Sequence, residues 1–232
     1  MKRDNKVAQI DGGSRPSKGI YILPNLFTTA SLFAAFYAII QSISGNFSGA
    51  AVAVLIAAVL DTLDGRVARM TNTVSDFGKE YDSLVDLVAF GLAPALILFE
   101  WGLKDFGKAG WLVAFIYAAT TALRLARFNT HDVVSKKYFQ GLPCPAAAVC
   151  LCSGIWMADT YSLSGGYYHG IGLSLLCLLS VAMVSNLPYR SFKDLDLKHR
   201  VSFITVIGLV LVFVLISFDP SRIIFMAFLV DH

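Results

Sequence analysis

The stretch Asp61-Thr-Leu-Asp64-Gly65-Arg-Val-Ala68-Arg69-Met-Thr-Asn-Thr-Val-Ser75-Asp76-Phe-Gly78-Lys-Glu-Tyr-Asp82-Ser-Leu-Val-Asp86 decides the reading of this chain. Asp61 and Asp64 are three residues apart, and Asp82 and Asp86 are four apart. On a helix each pair shares one face. A fifth aspartate, Asp76, falls between the pairs, where a loop is expected around Thr71–Lys79. The sequence on both sides is almost purely apolar. Ionised carboxylates at a membrane boundary are costly unless something compensates them. A divalent cation does so, and hard oxygen ligands suit Mg²⁺ or Mn²⁺ with coordination left over for phosphate. The expectation is a carboxylate-held metal site at the end of a helical hairpin, built to handle a phosphate ester.

Composition agrees with a membrane setting. Of 232 residues, 56% are hydrophobic and 15% charged, against about 25% charged in soluble domains. No Asp, Glu, Lys or Arg occurs from Gly19 to Leu60, enough for two spans of about 20 residues each. The ten-residue alternation of a β-barrel is not seen. The expected fold is all-α, a polytopic transmembrane helical bundle of about eight spans, with a range of six to eight. The spans are expected near 21–43, 48–70, 81–101, 109–128, 143–160, 171–188 and 201–218, with a short last run at 223–230. Residues 1–18 read as a basic cytoplasmic tail and 19–232 as a single transmembrane domain. No cleavable signal peptide is expected, since the first apolar run is too long for one.

Orientation follows from the basic residues. With alternating connections, 16 of the 19 Lys and Arg fall on one side, leaving Lys104, Lys108 and Arg222 on the other. The basic side is cytoplasmic, so the N-terminus and the aspartate site at the ends of spans two and three are expected to face the cytoplasm. Cys144, Cys150, Cys152 and Cys177 lie in apolar segments without metal-ligand spacing and read as packing residues. Tyr167-Tyr168-His169 is expected in an outward turn, and with Trp101, Trp111 and Trp156 as an interfacial aromatic belt. His131 with Asp132, and the run Lys193–Arg200, read as solvated surface.

The central stretch fits D-x2-D-G-x2-A-R-x8-G-x3-D-x3-D at all eight fixed positions, namely Asp61, Asp64, Gly65, Ala68, Arg69, Gly78, Asp82 and Asp86. It thereby resembles the signature of the CDP-alcohol phosphatidyltransferases. The resemblance implies a two-metal centre of Mg²⁺ or Mn²⁺ held by Asp61, Asp64, Asp82 and Asp86. Asp86 is also implied as the catalytic base, and Arg69 as a partner of the donor phosphates. Gly65 and Gly78 are implied as points of close approach by cytidine, and Ser75 as a hydroxyl near the nucleotide. Ser75 reads equally well as a solvated loop serine. Pro24-Asn25-Leu26-Phe27-Thr28 opens the first span, where free backbone N–H groups attract anions. Relatives carry a similar P-N-x-x-T, which places Pro24, Asn25 and Thr28 near the donor, although a plain helix start explains them too.

Ala122-Leu-Arg124-Leu-Ala-Arg127-Phe-Asn129, Tyr138-Phe-Gln-Gly-Leu-Pro143 and Pro145-Ala-Ala-Ala148 resemble the phosphatidylserine synthase branch in its integral-membrane bacterial form. That likeness runs from about Tyr21 to Ala148. It implies transfer of a phosphatidyl group from CDP-diacylglycerol to the hydroxyl of L-serine, releasing CMP, in a bacterial inner membrane. Arg124, Arg127 and Asn129, with Lys136 or Lys137 behind them, are the candidates for the acceptor carboxylate, and lipid-headgroup anchoring is their alternative reading. The resemblance also implies a homodimer, and no nucleic-acid partner is expected. The competing readings are the same chemistry on glycerol 3-phosphate or an inositol phosphate, and a non-catalytic lipid-binding protein or transporter. A transporter would carry its charges near the bilayer midplane; here they lie at one boundary.

Overall fold

The computed structural model describes residues 22–71, 73, 75–130, 139–185, 188–189 and 225–226. Apart from one two-residue antiparallel pairing, Phe139 with Tyr189 and Gln140 with Pro188, these residues are helical or in short turns. The elements are α1 (Ile22–Ile43), α2 (Phe47–Met70), α3 (Asp76–Asp86), a π-helical stretch Leu87–Leu92, α4 (Ala93–Trp101), a 3₁₀ turn Leu103–Phe106, α5 (Lys108–Thr130), α6 (Cys144–Thr160) and α7 (Gly166–Val184). α3, the π stretch and α4 run as one rod from Asp76 to Trp101.

Among the described residues, five helices are long and apolar enough to cross a membrane: Pro24–Ile43, Phe47–Met70, Asp76–Trp101, Lys108–Asn129 and Gly166–Val184. α6 is shorter, at 17 residues. The protein is accordingly membrane-embedded. The basic tail, the charged run Lys193–Arg200, His131, Lys136, Lys137 and the expected spans beyond residue 200, save Phe225 and Met226, lie outside the described residues.

Small side chains bring the first two helices together. Ala34, Ala35 and Ala38 of α1 and Ala50, Ala51, Ala53, Val54 and Ala57 of α2 are buried, which is how transmembrane helices approach when water supplies no drive between them. Ser31 Oγ donates to the Ala57 carbonyl at 3.0 Å across this seam. The turn between them uses Gly45 at φ +78°, and Asn46 caps α2 by accepting from Gly49 N at 3.0 Å. Phe90, Ile97, Leu98, Tyr117, Leu151 and Leu176 fill the centre. Cys144, Cys150 and Cys152 are buried there as free thiols, as expected, while Cys177 is exposed.

Three boundaries differ from expectation. α3 begins at Asp76, not near 81, because Ser75 adopts an extended N-cap conformation and its Oγ accepts from Gly78 N at 3.0 Å. Asp76 is therefore a first-turn acid, favoured by the helix dipole, and residues 76–79 leave the expected loop for the helix. α7 begins at Gly166 and ends at Val184, about four residues earlier than expected. Tyr167-Tyr168-His169 is consequently helical. Tyr167 is exposed, but His169 is buried, with Nδ1 2.8 Å from Asp105 Oδ2 and its ring edge-on to Trp101 at 4.9 Å. Trp101 and Trp156 are half-buried, leaving Trp111 as the exposed tryptophan of the expected belt.

Candidate active site

One end of the bundle gathers the C-terminal ends of α2, α5 and α7 with the N-terminal ends of α1, α3 and α6. Contacts across it fix the assembly. Asn129 Nδ2 of α5 donates to Ser83 Oγ of α3 at 3.0 Å. Leu142 N, just before α6, donates to the Ala182 carbonyl of α7 at 3.2 Å.

The two aspartate pairs meet here. Asp61 and Asp64 come from the last turns of α2, and Asp82 and Asp86 from α3. One carboxylate oxygen from each of Asp61, Asp64 and Asp82 lies within 4.8 Å of the others. Asp64 is the most enclosed, at 5% exposure. Asp86 sits one helical turn beyond Asp82, and its carboxyl is within hydrogen-bonding reach of Asp61. Asp82 Oδ1 and Asp86 Oδ1 are buried with no hydrogen-bond partner among the described residues. Buried carboxylate oxygens without donors are costly. A set of hard oxygen ligands with such unmet demand fits a divalent cation of the Mg²⁺ or Mn²⁺ type.

The neighbouring residues of the signature have identifiable places. The exposed Arg69 lies back over Gly65, both terminal guanidinium nitrogens standing 3.7 Å from where a Gly65 Cβ would be. At Gly78 a Cβ would come within 3.1 Å of Ser75 Oγ and 3.5 Å of Asn25 Oδ1. Gly78 therefore allows the Ser75 cap and brings Asn25 of α1 against the start of α3. Thr28, expected at the donor, has its Oγ1 2.8 Å from Asp64 Oδ2.

The acceptor candidates separate. Asn129 reaches α3 beside Asp82. Arg124 is half-buried and directs a terminal guanidinium nitrogen to Cys144 Sγ of α6 at 3.6 Å, while its Nε is buried without a partner among the described residues. Arg127, three residues on, is exposed. Ser83 bonds Asn129 and Cys144 meets Arg124, while Tyr81 bonds Thr29 of α1; the sequence assigned none of the three to the site. Ser83 and Tyr81 lie within the signature at unspecified positions, and Cys144 lies in an apolar segment 20 residues from its arginine.

Beside the carboxylates, an open apolar groove of about 630 Å³ runs between α1 and α2, lined by Phe33, Tyr37, Val52, Ile56 and Leu60 among others. Its end at Ala30 and Leu60 adjoins Thr29 and Asp61 in sequence.

Comparison with known proteins places this architecture. Residues 21–185 match the family model described as CDP-alcohol phosphatidyltransferase. A CDP-diacylglycerol–serine O-phosphatidyltransferase of Helicobacter pylori (strain ATCC 700392 / 26695) is 41% identical over 200 residues, covering 86% of this chain and 84% of the relative. A protein of the same name from Mycobacterium tuberculosis (strain ATCC 25618 / H37Rv) is 35% identical over 188 residues, covering 77% of this chain and 65% of the relative. An archaetidylserine synthase of Methanothermobacter thermautotrophicus is 34% identical over 169 residues, covering 72% and 69%. With the signature carboxylates converging from α2 and α3 and the match spanning most of the described bundle, the chain belongs to the CDP-alcohol phosphatidyltransferase family.

Proposed function

We propose that this protein transfers the phosphatidyl group of CDP-diacylglycerol to the hydroxyl of L-serine, giving phosphatidylserine and CMP. The observation that carries the reading is the carboxylate cluster of Asp61, Asp64 and Asp82 with Asp86 beside it, in a chain 41% identical to a relative named for that reaction. Asp61, Asp64, Asp82 and Asp86 are the residues that would hold a pair of Mg²⁺ or Mn²⁺ ions. Bound there, such ions supply charge neutralisation for the donor diphosphate.

The chain's own groups do the rest. Asp86 accepts the serine hydroxyl proton as the new serine oxygen–phosphorus bond forms and the phosphorus–oxygen bond to CMP breaks. Arg69 offers a fork of donors to the phosphates. Gly65, Ser75 and Gly78, with Pro24 and Asn25 of α1, border the nucleotide. The apolar groove between α1 and α2 keeps the diacylglycerol portion out of water. Arg124, Arg127 and Asn129 receive the serine carboxylate, the buried Nε of Arg124 being the donor in want of an acceptor.

The enzyme sits in a bacterial inner membrane as a homodimer, with residues 1–18 as a cytoplasmic tail, 19–232 as one transmembrane domain of six to eight spans, and the aspartates on the cytoplasmic side. Its donor enters from lipid while the nucleotide stays in water.

The test offers purified protein CDP-diacylglycerol with Mn²⁺ or Mg²⁺ and labelled serine, glycerol 3-phosphate or an inositol phosphate in separate reactions. CMP and labelled lipid with serine alone is the expected result. Label transferred only to another acceptor overturns the serine assignment, and no CMP from folded protein overturns the enzyme reading. Within the acceptor pocket, Arg124→Ala is expected to raise the serine KM about tenfold or more, the loss of one charge-assisted hydrogen bond, with the donor KM unchanged. An unaltered serine KM in both Arg124→Ala and Arg127→Ala removes the two arginines from that pocket.

A further inference from the structure

One turn of α1 touches both carboxylate-bearing helices. Thr28, buried at 4% exposure, places Oγ1 2.8 Å from Asp64 Oδ2 on α2 and 3.2 Å from the Pro24 carbonyl of its own helix. Thr29, the next residue, lies 3.0 Å through Oγ1 from Tyr81 Oη on α3 and donates to the Asn25 carbonyl at 2.7 Å. Asn25 in turn stands against Gly78 at the first turn of α3. A hydroxyl within reach of both its own helix carbonyl and a carboxylate makes the stronger bond to the charged acceptor.

We propose that Thr28 is a positioning residue: its hydroxyl donates to Asp64 Oδ2 and fixes the rotation of that carboxylate, so that α1 sets the geometry of the cation ligands. This departs from a role for Thr28 in gripping the donor, and it rests on the reading of Asp64 as a cation ligand. The geometry gives it three supports. Asp64 is the most enclosed carboxylate of the three whose oxygens converge. A rotor held at one oxygen presents the other in a single orientation. The adjacent Thr29–Tyr81 bond ties the same turn to the helix that carries Asp82, so α1 registers the α2 pair against the α3 pair. Groups that orient metal ligands in this way typically change metal affinity about 10–100-fold when removed.

The experiment uses full-length purified protein carrying Thr28→Val, which keeps the shape and loses the hydroxyl, and Thr28→Ser, which keeps the hydroxyl. Mn²⁺ affinity is measured without donor, from the electron paramagnetic resonance signal of free Mn²⁺, beside kcat, donor KM and the thermal midpoint. Thr28→Val is expected to weaken Mn²⁺ binding about 10–100-fold and lower kcat at sub-saturating metal, with donor KM within about twofold of wild type. Thr28→Ser is expected to restore Mn²⁺ affinity to within about threefold. Unchanged Mn²⁺ affinity with a raised donor KM overturns the proposal in favour of donor contact. Unchanged affinity with only a lowered midpoint overturns it in favour of helix packing. Asp64→Asn runs in parallel: if it too binds Mn²⁺ as wild type does, it is the ligand reading that has failed, and the positioning role falls with it.

Discussion

Asp86→Asn is expected to lower kcat roughly 10²–10⁴-fold, the range over which a positioned proton acceptor contributes. The substitution keeps the shape of the side chain and removes its capacity to take a proton from an attacking hydroxyl. It also replaces an ionisable carboxyl with a neutral amide in a cluster in which Asp86 stands within hydrogen-bonding reach of Asp61 and one turn from Asp82. The fold should therefore persist, and the thermal midpoint in metal-free detergent should hold or rise, because repulsion among buried carboxylates is relieved. Two measurements separate the roles given to this residue. CMP release reports the chemistry, and Mn²⁺ titration reports ligand duty. Lost turnover with Mn²⁺ binding largely kept marks a base; loss of both marks a ligand. Turnover within tenfold of wild type, in protein that binds both substrates, would end the assignment of Asp86 as the proton acceptor.

Gly110→Ala is expected to be the most damaging single methyl in the described bundle. A Cβ at Gly110 would lie 1.9 Å from the Leu103 carbonyl oxygen and 2.8 Å from its carbon. Both atoms belong to the backbone of the 3₁₀ turn that joins α4 to α5, so no rotamer change relieves the clash. One end of the rod that carries the aspartates is anchored at this corner, where Leu103 is fully buried. Overpacking of this kind costs about 3 kcal/mol, and the variant should accumulate poorly and melt well below wild type in detergent. Gly166→Ala is the matched control, since a Cβ there meets nothing within 4 Å. Equal midpoints for wild type and Gly110→Ala would mean that the Leu103 carbonyl does not pack against Gly110.

The carboxylate hairpin was legible in the sequence because helical spacing alone sorts Asp61 with Asp64 and Asp82 with Asp86, and because polar residues stand out in an apolar chain. The all-helical architecture and the early spans were legible for the same reason. The start of α3 was missed although Ser75 followed by Asp76 is a recognisable cap signal; the polar run around it reads as loop until the Gly78 N–H is seen on the serine. The pairing of His169 with Asp105 joins residues 64 apart, and that of Thr28 with Asp64 joins residues 36 apart. Neither can be read from local periodicity, which reports the face a residue occupies and not what faces it. A hydroxyl near the signature was anticipated at the donor, and its bond to a carboxylate was not.

The π-helical stretch from Leu87 to Leu92 follows Asp86 directly. Uniform α-helical phase would lock the azimuth of Asp82 and Asp86 to that of Ala93, Ile97 and Leu98 on the packing side of the same rod. A widened turn accommodates about one extra residue and breaks that lock, offsetting the two halves by about 100°. The chemistry-bearing half and the core-filling half can thus be aimed separately along one uninterrupted span. Excising a single residue between 87 and 92 would restore uniform phase and swing both aspartates away from α2 while leaving every side chain of the site in the sequence. The angular setting of the site is written in the length of an apolar segment that itself carries no reactive group.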